Sequence, residues 1–216
     1  MYLNKIYYIS ISLVMSTKRI ITEIKELRNL IENEPIDEHR FVEINMINNS
    51  INELNVYFMG PKITPYEEML NHIVIKIPKE YPNRAPNLQF MNKIFHPNIS
   101  SDGRICLDIL SSNWKPVYTL RTVLMSIMLL LSDPNPDSPL NGEAANLYKK
   151  SVSDKDMKSK YEYIKKIEDY AIVIQKKSKI SQPHIIPNLI PHLDPVPVPP
   201  VQEPVPPEPH VPYNRR

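Results

Sequence analysis

Four short stretches of strand character follow one helical stretch, and every connection between them is shorter than the dozen or more residues a parallel crossover needs. Residues 41–47, 53–59, 71–77 and 87–91 alternate in polarity or are rich in β-branched side chains, with Asn48-Asn49 and Gly60-Pro61 among the turn formers between them. An antiparallel meander is therefore expected. It is preceded by a helix from about Lys18 to Asn33, on which Ile20, Ile24, Leu27 and Ile31 recur at helical spacing before Pro35 closes it.

Beyond the strands, residues 95–118 hold no periodicity, and an ordered loop of that length in a compact domain is usually functional. Leu120, Val123, Leu124, Ile127, Leu130 and Leu131 then wrap round a helix apolar enough to be buried. Two further helices fit Glu143 to Lys150 and Asp154 to about Lys177, the second with Met157, Tyr161, Ile164, Ala171 and Ile174 as its expected inner stripe. The class is α/β in the α+β arrangement.

Residues 1–15 form an apolar N-terminal extension, too short to span a bilayer and with no small-residue cleavage site after it. A disordered or loosely packed segment is expected there, Met15 is a possible second start, and Ser16 or Thr17 would cap the helix. The folded domain is drawn over 16–177. Residues 178–216 read as a flexible, extended tail, because twelve of the 23 prolines fall from Pro183 onward, in polyproline II composition. Within it Pro197-Val198-Pro199-Pro200 and Pro204-Val205-Pro206-Pro207 have the spacing read by aromatic-lined grooves.

A chain of 216 residues with 42% hydrophobic content suits one well-buried domain with an appendage. Its formal charge of +2 gives no global field of the kind that draws nucleic acid or an anionic membrane, so neither is an expected partner. One cysteine, Cys106, allows no internal disulfide and no shared thiolate metal site, which points to a reducing compartment and no metal. Glycine is scarce, three in all, so Gly60 and Gly103 are expected where a reversal requires positive φ.

Cys106 lies ten residues after His96-Pro97-Asn98, within the run from His96 to Leu110. Gly60-Pro61, Thr64-Pro65-Tyr66-Glu67 and Tyr81-Pro82 precede that run; Trp114-x-Pro116 and Asp133-Pro134-Asn135-Pro136-Asp137-Ser138-Pro139-Leu140 follow it. In order and spacing these pieces resemble the ubiquitin-conjugating enzymes over roughly residues 16–174. The resemblance implies the UBC fold and an acyltransferase: Cys106 would accept ubiquitin from the activating enzyme as a thioester and pass it to lysine amines of protein substrates. ATP would enter only through the activating enzyme, so no cofactor is expected. Ubiquitin, the activating enzyme, ubiquitin ligases and protein substrates are the implied partners, and the cytoplasm or nucleus of a eukaryotic cell or eukaryotic host cell the implied location.

Matched residue by residue, Cys106 is the nucleophile and Asn98 the amide donor to the oxyanion that builds as lysine attacks, a role compatible with the plainer one of tying down the loop. His96 would brace the loop. Ser138 stands where many relatives place an aspartate, a better proton acceptor, leaving Asp137 or the substrate to compensate, or phosphorylation of Ser138 to restore the charge. Lys18 and Arg19 match residues used for docking the activating enzyme, with a solvated helix end as the plainer reading, and Trp114 and Pro116 match a ligase-facing loop. Asn83 replaces an aromatic that many relatives present to ligases, and Glu68-Met69 replaces a usual pair of glycines. Two other readings remain open: a conjugating enzyme for another ubiquitin-like modifier, and a non-enzymatic variant that binds ubiquitin or a ligase.

Overall fold

A computed structural model describes residues 2–152 and 157–178. Helix α1 (Tyr2–Asn33) and a single-turn α2 (Ile36–His39) precede strands β1 (Phe41–Ile47), β2 (Ser50–Met59), β3 (Leu70–Lys76) and β4 (Asn87–Phe90); α3 (Leu120–Ser132), α4 (Gly142–Ser151) and α5 (Met157–Ser178) follow. The sheet is the expected meander, ordered β1-β2-β3-β4 with every pair antiparallel. Its first turn is Asn48-Asn49, whose φ values of 51° and 57° are the left-handed pair that a tight two-residue hairpin demands and asparagine tolerates.

One face of the sheet is dry. Leu54 and Val56 of β2 sit opposite Ile75 and Ile73 of β3, which in turn face Leu88 and Phe90 of β4, and all six are buried. They share one core with Ile20, Ile24, Leu27 and Leu30 of α1, the apolar face of α3 and Ile167 of α5. Burying about 25 cal/mol per Å² of apolar surface, this common core is the main favourable contribution to the fold. Among the described residues no helix is long and apolar enough to cross a membrane.

Three expectations are corrected. Helix α1 does not start at Lys18 but runs unbroken from Tyr2, so residues 2–15 are helical rather than a loose extension. Neither proline nor glycine interrupts 2–33, and Ser16, buried, is not a cap: its hydroxyl donates to the Tyr81 carbonyl at 2.6 Å. On α5, Met157 and Tyr161 are exposed at 72% and 68%. The inner stripe is instead Ser159, Tyr163 and Ile167, because the Tyr163 hydroxyl meets that of buried Tyr66 (3.1 Å) and its ring meets Phe95. Ile164 is half-buried, while the side chains of Ala171 and Ile174 and the start of the expected helix at Asp154 lie outside what is described. Gly103 does have positive φ (85°), but Gly60 does not: it is needed because a Cβ there would collide with the Tyr66 carbonyl. Of the tail expected over 178–216, Ser178 instead ends α5, and 179–216 lie outside the described residues.

Candidate active site

Each residue of His96-Pro97-Asn98 fastens a different part of the chain. The buried His96 ring sits between two backbone groups, with Nε2 donating to the Leu130 carbonyl of α3 (2.9 Å) and Nδ1 accepting from the Asn98 N–H (3.0 Å). Burial pushes its pKa from 6.5 down to about 4, against the pull of the Leu130 carbonyl, so at neutral pH the ring is an uncharged brace. The Pro97 carbonyl accepts from the N–H groups of Leu140 (2.8 Å) and Asn141 (2.9 Å), and Asn141 in turn caps α4 through Ala144 N–H.

Asn98 is 1% exposed, and its carboxamide is fully engaged. Nδ2 donates to the carbonyls of Asn135 (2.6 Å) and Ser138 (3.1 Å), and Oδ1 accepts from Asn135 N–H (2.8 Å). Its own carbonyl accepts from the N–H of Cys106 at 2.9 Å. One residue thus joins the segment carrying the thiol to the 135–138 loop.

Cys106 is half-exposed, and its Sγ lies 3.8 Å from the Ser138 Oγ. Ser138 is exposed, as is Asp137, but the Asp137 carboxylate is 2.8 Å from Lys149 Nζ of α4. The structure therefore brings Cys106, Asn98, Ser138 and the Asp137 backbone together, with the Asp137 charge already partnered. Lys149 was not foreseen from sequence, since nothing in the spacing between the loop and α4 marks it.

The partner-facing candidates are placed apart from this cluster. Lys18 is exposed on α1. Arg19, its neighbour, is turned inward: Nε donates to Glu23 (2.8 Å), Nη2 to the Tyr118 carbonyl (2.9 Å), and the guanidinium lies over the Tyr81 ring. Glu23, 4% exposed, also accepts from the Tyr81 hydroxyl (2.7 Å) and from Leu120 N–H at the start of α3 (2.8 Å). Sequence reasoning passed over this acid, although its place three residues after Ile20 on the apolar face was a usable signal. Trp114 packs between Tyr81 and Tyr118 and donates to the Pro82 carbonyl (2.7 Å), tying its own loop to the one that follows Tyr81; Pro116 is exposed. Among the described residues no group of three or more His, Cys, Asp or Glu could hold a metal.

Chemically, the arrangement presents one half-exposed thiol on a backbone frame, with a hydroxyl beside it. The family model described as ubiquitin-conjugating enzyme matches residues 19–164, more than half of the chain. Ubiquitin-conjugating enzyme E2-24 kDa of Saccharomyces cerevisiae is 37% identical over 169 residues, covering 77% of this chain and 69% of that protein. Ubiquitin-conjugating enzyme E2 2 of Mycosarcoma maydis is 43% identical over 100 residues, and there the match spans 46% of this chain and 54% of the relative's length. The solved structure of H. polymorpha ubiquitin conjugating enzyme Pex4p in complex with the soluble domain of Pex22p superposes with a TM-score of 0.66 at 27% identity, covering 73% of this chain and 96% of that one. The helix, four-stranded meander and C-terminal helices are those of the UBC fold, and the chain belongs to the ubiquitin-conjugating enzyme family.

Proposed function

We propose that the chain is a ubiquitin carrier. The Cys106 thiolate attacks the thioester carbonyl by which the activating enzyme holds ubiquitin, that enzyme's thiolate leaves, and a substrate lysine amine later displaces Cys106 in the same way, losing its proton to a nearby acceptor or to water. The observation that supports this best is a half-exposed thiol whose own N–H is held by the carbonyl of Asn98, the residue that also pins the neighbouring 135–138 loop.

Asn98 serves the transfer step by one of two routes. It either releases one of its two carbonyl partners to donate to the oxyanion, or it keeps the loop beside the thiol; the second needs no rearrangement of the bonds described. Lys18 docks the activating enzyme, and the Trp114 and Pro116 loop docks ligases. Arg19 contributes to docking through the α1 surface it braces, since its guanidinium is occupied. The catalytic unit extends from α1 to the end of α5 at Ser178, with the segment after it a tail, and no cofactor takes part because ATP is used by the activating enzyme. The location is the cytoplasm or nucleus of a eukaryotic or eukaryotic host cell.

The test is incubation with an activating enzyme, ATP and ubiquitin. A ubiquitin adduct removed by dithiothreitol should form on the wild type and on a chain ending at Lys177, be absent from Cys106→Ala, and become a thiol-resistant oxyester in Cys106→Ser. A thiol-sensitive adduct on Cys106→Ala would refute the reading.

A further inference from the structure

The Ser138 hydroxyl is turned to the thiol alone. Its Oγ lies 3.8 Å from the Cys106 Sγ and makes no other hydrogen bond among the described residues. The backbone on either side is fixed. The Ser138 carbonyl accepts from Asn98 Nδ2 (3.1 Å), Asp137 N–H donates to Asn135 Oδ1 (3.1 Å), and Leu140 N–H donates to the Pro97 carbonyl (2.8 Å). Pro139 adds a restriction of its own, since a proline confines the residue before it to extended backbone. An exposed hydroxyl is thus held beside a half-exposed sulfur.

When the sulfur carries an acyl group, a carbonyl carbon bonded to Sγ comes within reach of an oxygen 3.8 Å from that sulfur. Attack begins at separations of about 3–3.5 Å. Other side chains near the thiol are occupied: the Lys149 ammonium is paired with the Asp137 carboxylate at 2.8 Å, and the buried His96 ring has both nitrogens bonded to backbone. The serine therefore has no free base to activate it, which makes its attack slow. Proximity works the other way, because a well-oriented intramolecular group reaches effective concentrations of about 10⁵ M or more. An oxyester is also less activated than a thioester, so transfer from sulfur to oxygen runs downhill. The aspartate that many relatives place at this position offers no hydroxyl, and the reaction would belong to the serine of this chain.

We propose that Ser138 is an acceptor within the protein itself, to which ubiquitin carried on Cys106 moves when no lysine arrives. The Ser138 oxygen attacks the thioester carbonyl carbon, a C–O bond replaces the C–S bond, and the hydroxyl proton ends on the departing Cys106 sulfur or on water. The product is an oxyester on Ser138 and a free Cys106 thiol, which withholds that ubiquitin from lysine until water cleaves the ester. The inference rests on the carrier reading of Cys106.

The experiment loads the full chain with ubiquitin, quenches the activating enzyme, and incubates at neutral pH without lysine. Samples are split between dithiothreitol, which cleaves a thioester, and dithiothreitol followed by mild alkali, which also cleaves an oxyester but spares an isopeptide. A thiol-resistant, alkali-labile adduct should grow as the thioester decays, and digestion at acid pH should map the ubiquitin remnant to Ser138. Ser138→Ala should lower that adduct by about tenfold or more, and Ser138→Thr should restore part of it by returning a hydroxyl to the same place. Free lysine added after the quench should divert the thioester and shrink the adduct. A wild-type thioester that decays to no adduct, or only to an alkali-resistant one, would overturn this inference and leave the carrier reading intact. An undiminished alkali-labile adduct on Ser138→Ala would overturn it too. If Ser138→Ala fails to load, the mapping on wild type decides, and a remnant on any residue other than Ser138 counts against the inference. A wild type that forms no thiol-sensitive adduct would sink the carrier reading and this inference with it.

Discussion

Lowering the pH should loosen the domain through His96 before most carboxylates titrate. The folded ring holds its proton only below about 4, against 6.5 ordinarily, because burial penalises the charge. Between those values the unfolded chain binds a proton that the folded chain excludes, so stability is fully present above pH 6.5 and is lost as pH falls toward 4. A gap of about 2.5 units is worth roughly 3 kcal/mol in all, of which about 2 kcal/mol is gone by pH 5. His72 is shifted downward as well, again by burial, and adds in the same direction; Asp102, held low chiefly by the Ser100 hydroxyl, titrates further down. Urea unfolding followed by the fluorescence of Trp114 at pH 7.5, 6 and 5 measures the loss. His96→Asn keeps a short acceptor for the Asn98 N–H and removes the titration. It should be less stable at pH 7.5 but lose about 2 kcal/mol less than wild type on going to pH 5, whereas His72→Asn should remove a smaller share. Parallel losses in wild type and His96→Asn would refute the uncharged brace.

Three other outcomes are expected. Glu23→Ala leaves Arg19, the Tyr81 hydroxyl and Leu120 N–H without their shared acceptor and should cost about 3–5 kcal/mol in urea unfolding, with Glu23→Gln recovering part; a loss under about 1 kcal/mol would contradict the network. Asn98→Ala should still load ubiquitin but discharge it to lysine about 10²-fold more slowly if the amide reaches the oxyanion; equal losses in both steps would instead make it a loop clamp alone. Ser138→Asp places a carboxylate near the thiol where Asp137 is already held by Lys149, and should speed discharge to free lysine near neutral pH, with the advantage shrinking as pH rises; a rate unchanged at every pH argues that the proton leaves by another path.

The sheet was legible because alternation with short turns admits one topology, and β1 falls on 41–47 as expected. The site was legible because its residues are close in sequence or belong to motif pieces. What escaped was set by tertiary contact. Whether α5 turns Tyr161 or Tyr163 inward depends on the Tyr66 hydroxyl waiting across the core, and local periodicity holds no record of it. Gly60 reads like a turn glycine, yet its requirement is the space occupied by the Tyr66 carbonyl. The helical 2–15 region shows the reverse case, in which a local signal was present, since no proline or glycine breaks the stretch between Tyr2 and Asn33.

Asn98 grips only main-chain atoms of the 135–138 loop, at Asn135 and Ser138, and Pro97 likewise holds Leu140 and Asn141 by their amides. The path of the loop is thereby uncoupled from the side chains of Asp137 and Ser138, although the Asn135 Oδ1 that accepts from Asp137 N–H (3.1 Å) still shapes it. The side chains of Asp137 and Ser138 are exposed, and the ion pair with Lys149, also exposed, contributes little to holding the fold. Substitutions at 137 and 138 can therefore retune charge and proton affinity beside the thiol without shifting the frame, so chemistry at this site can drift while its geometry stays inherited.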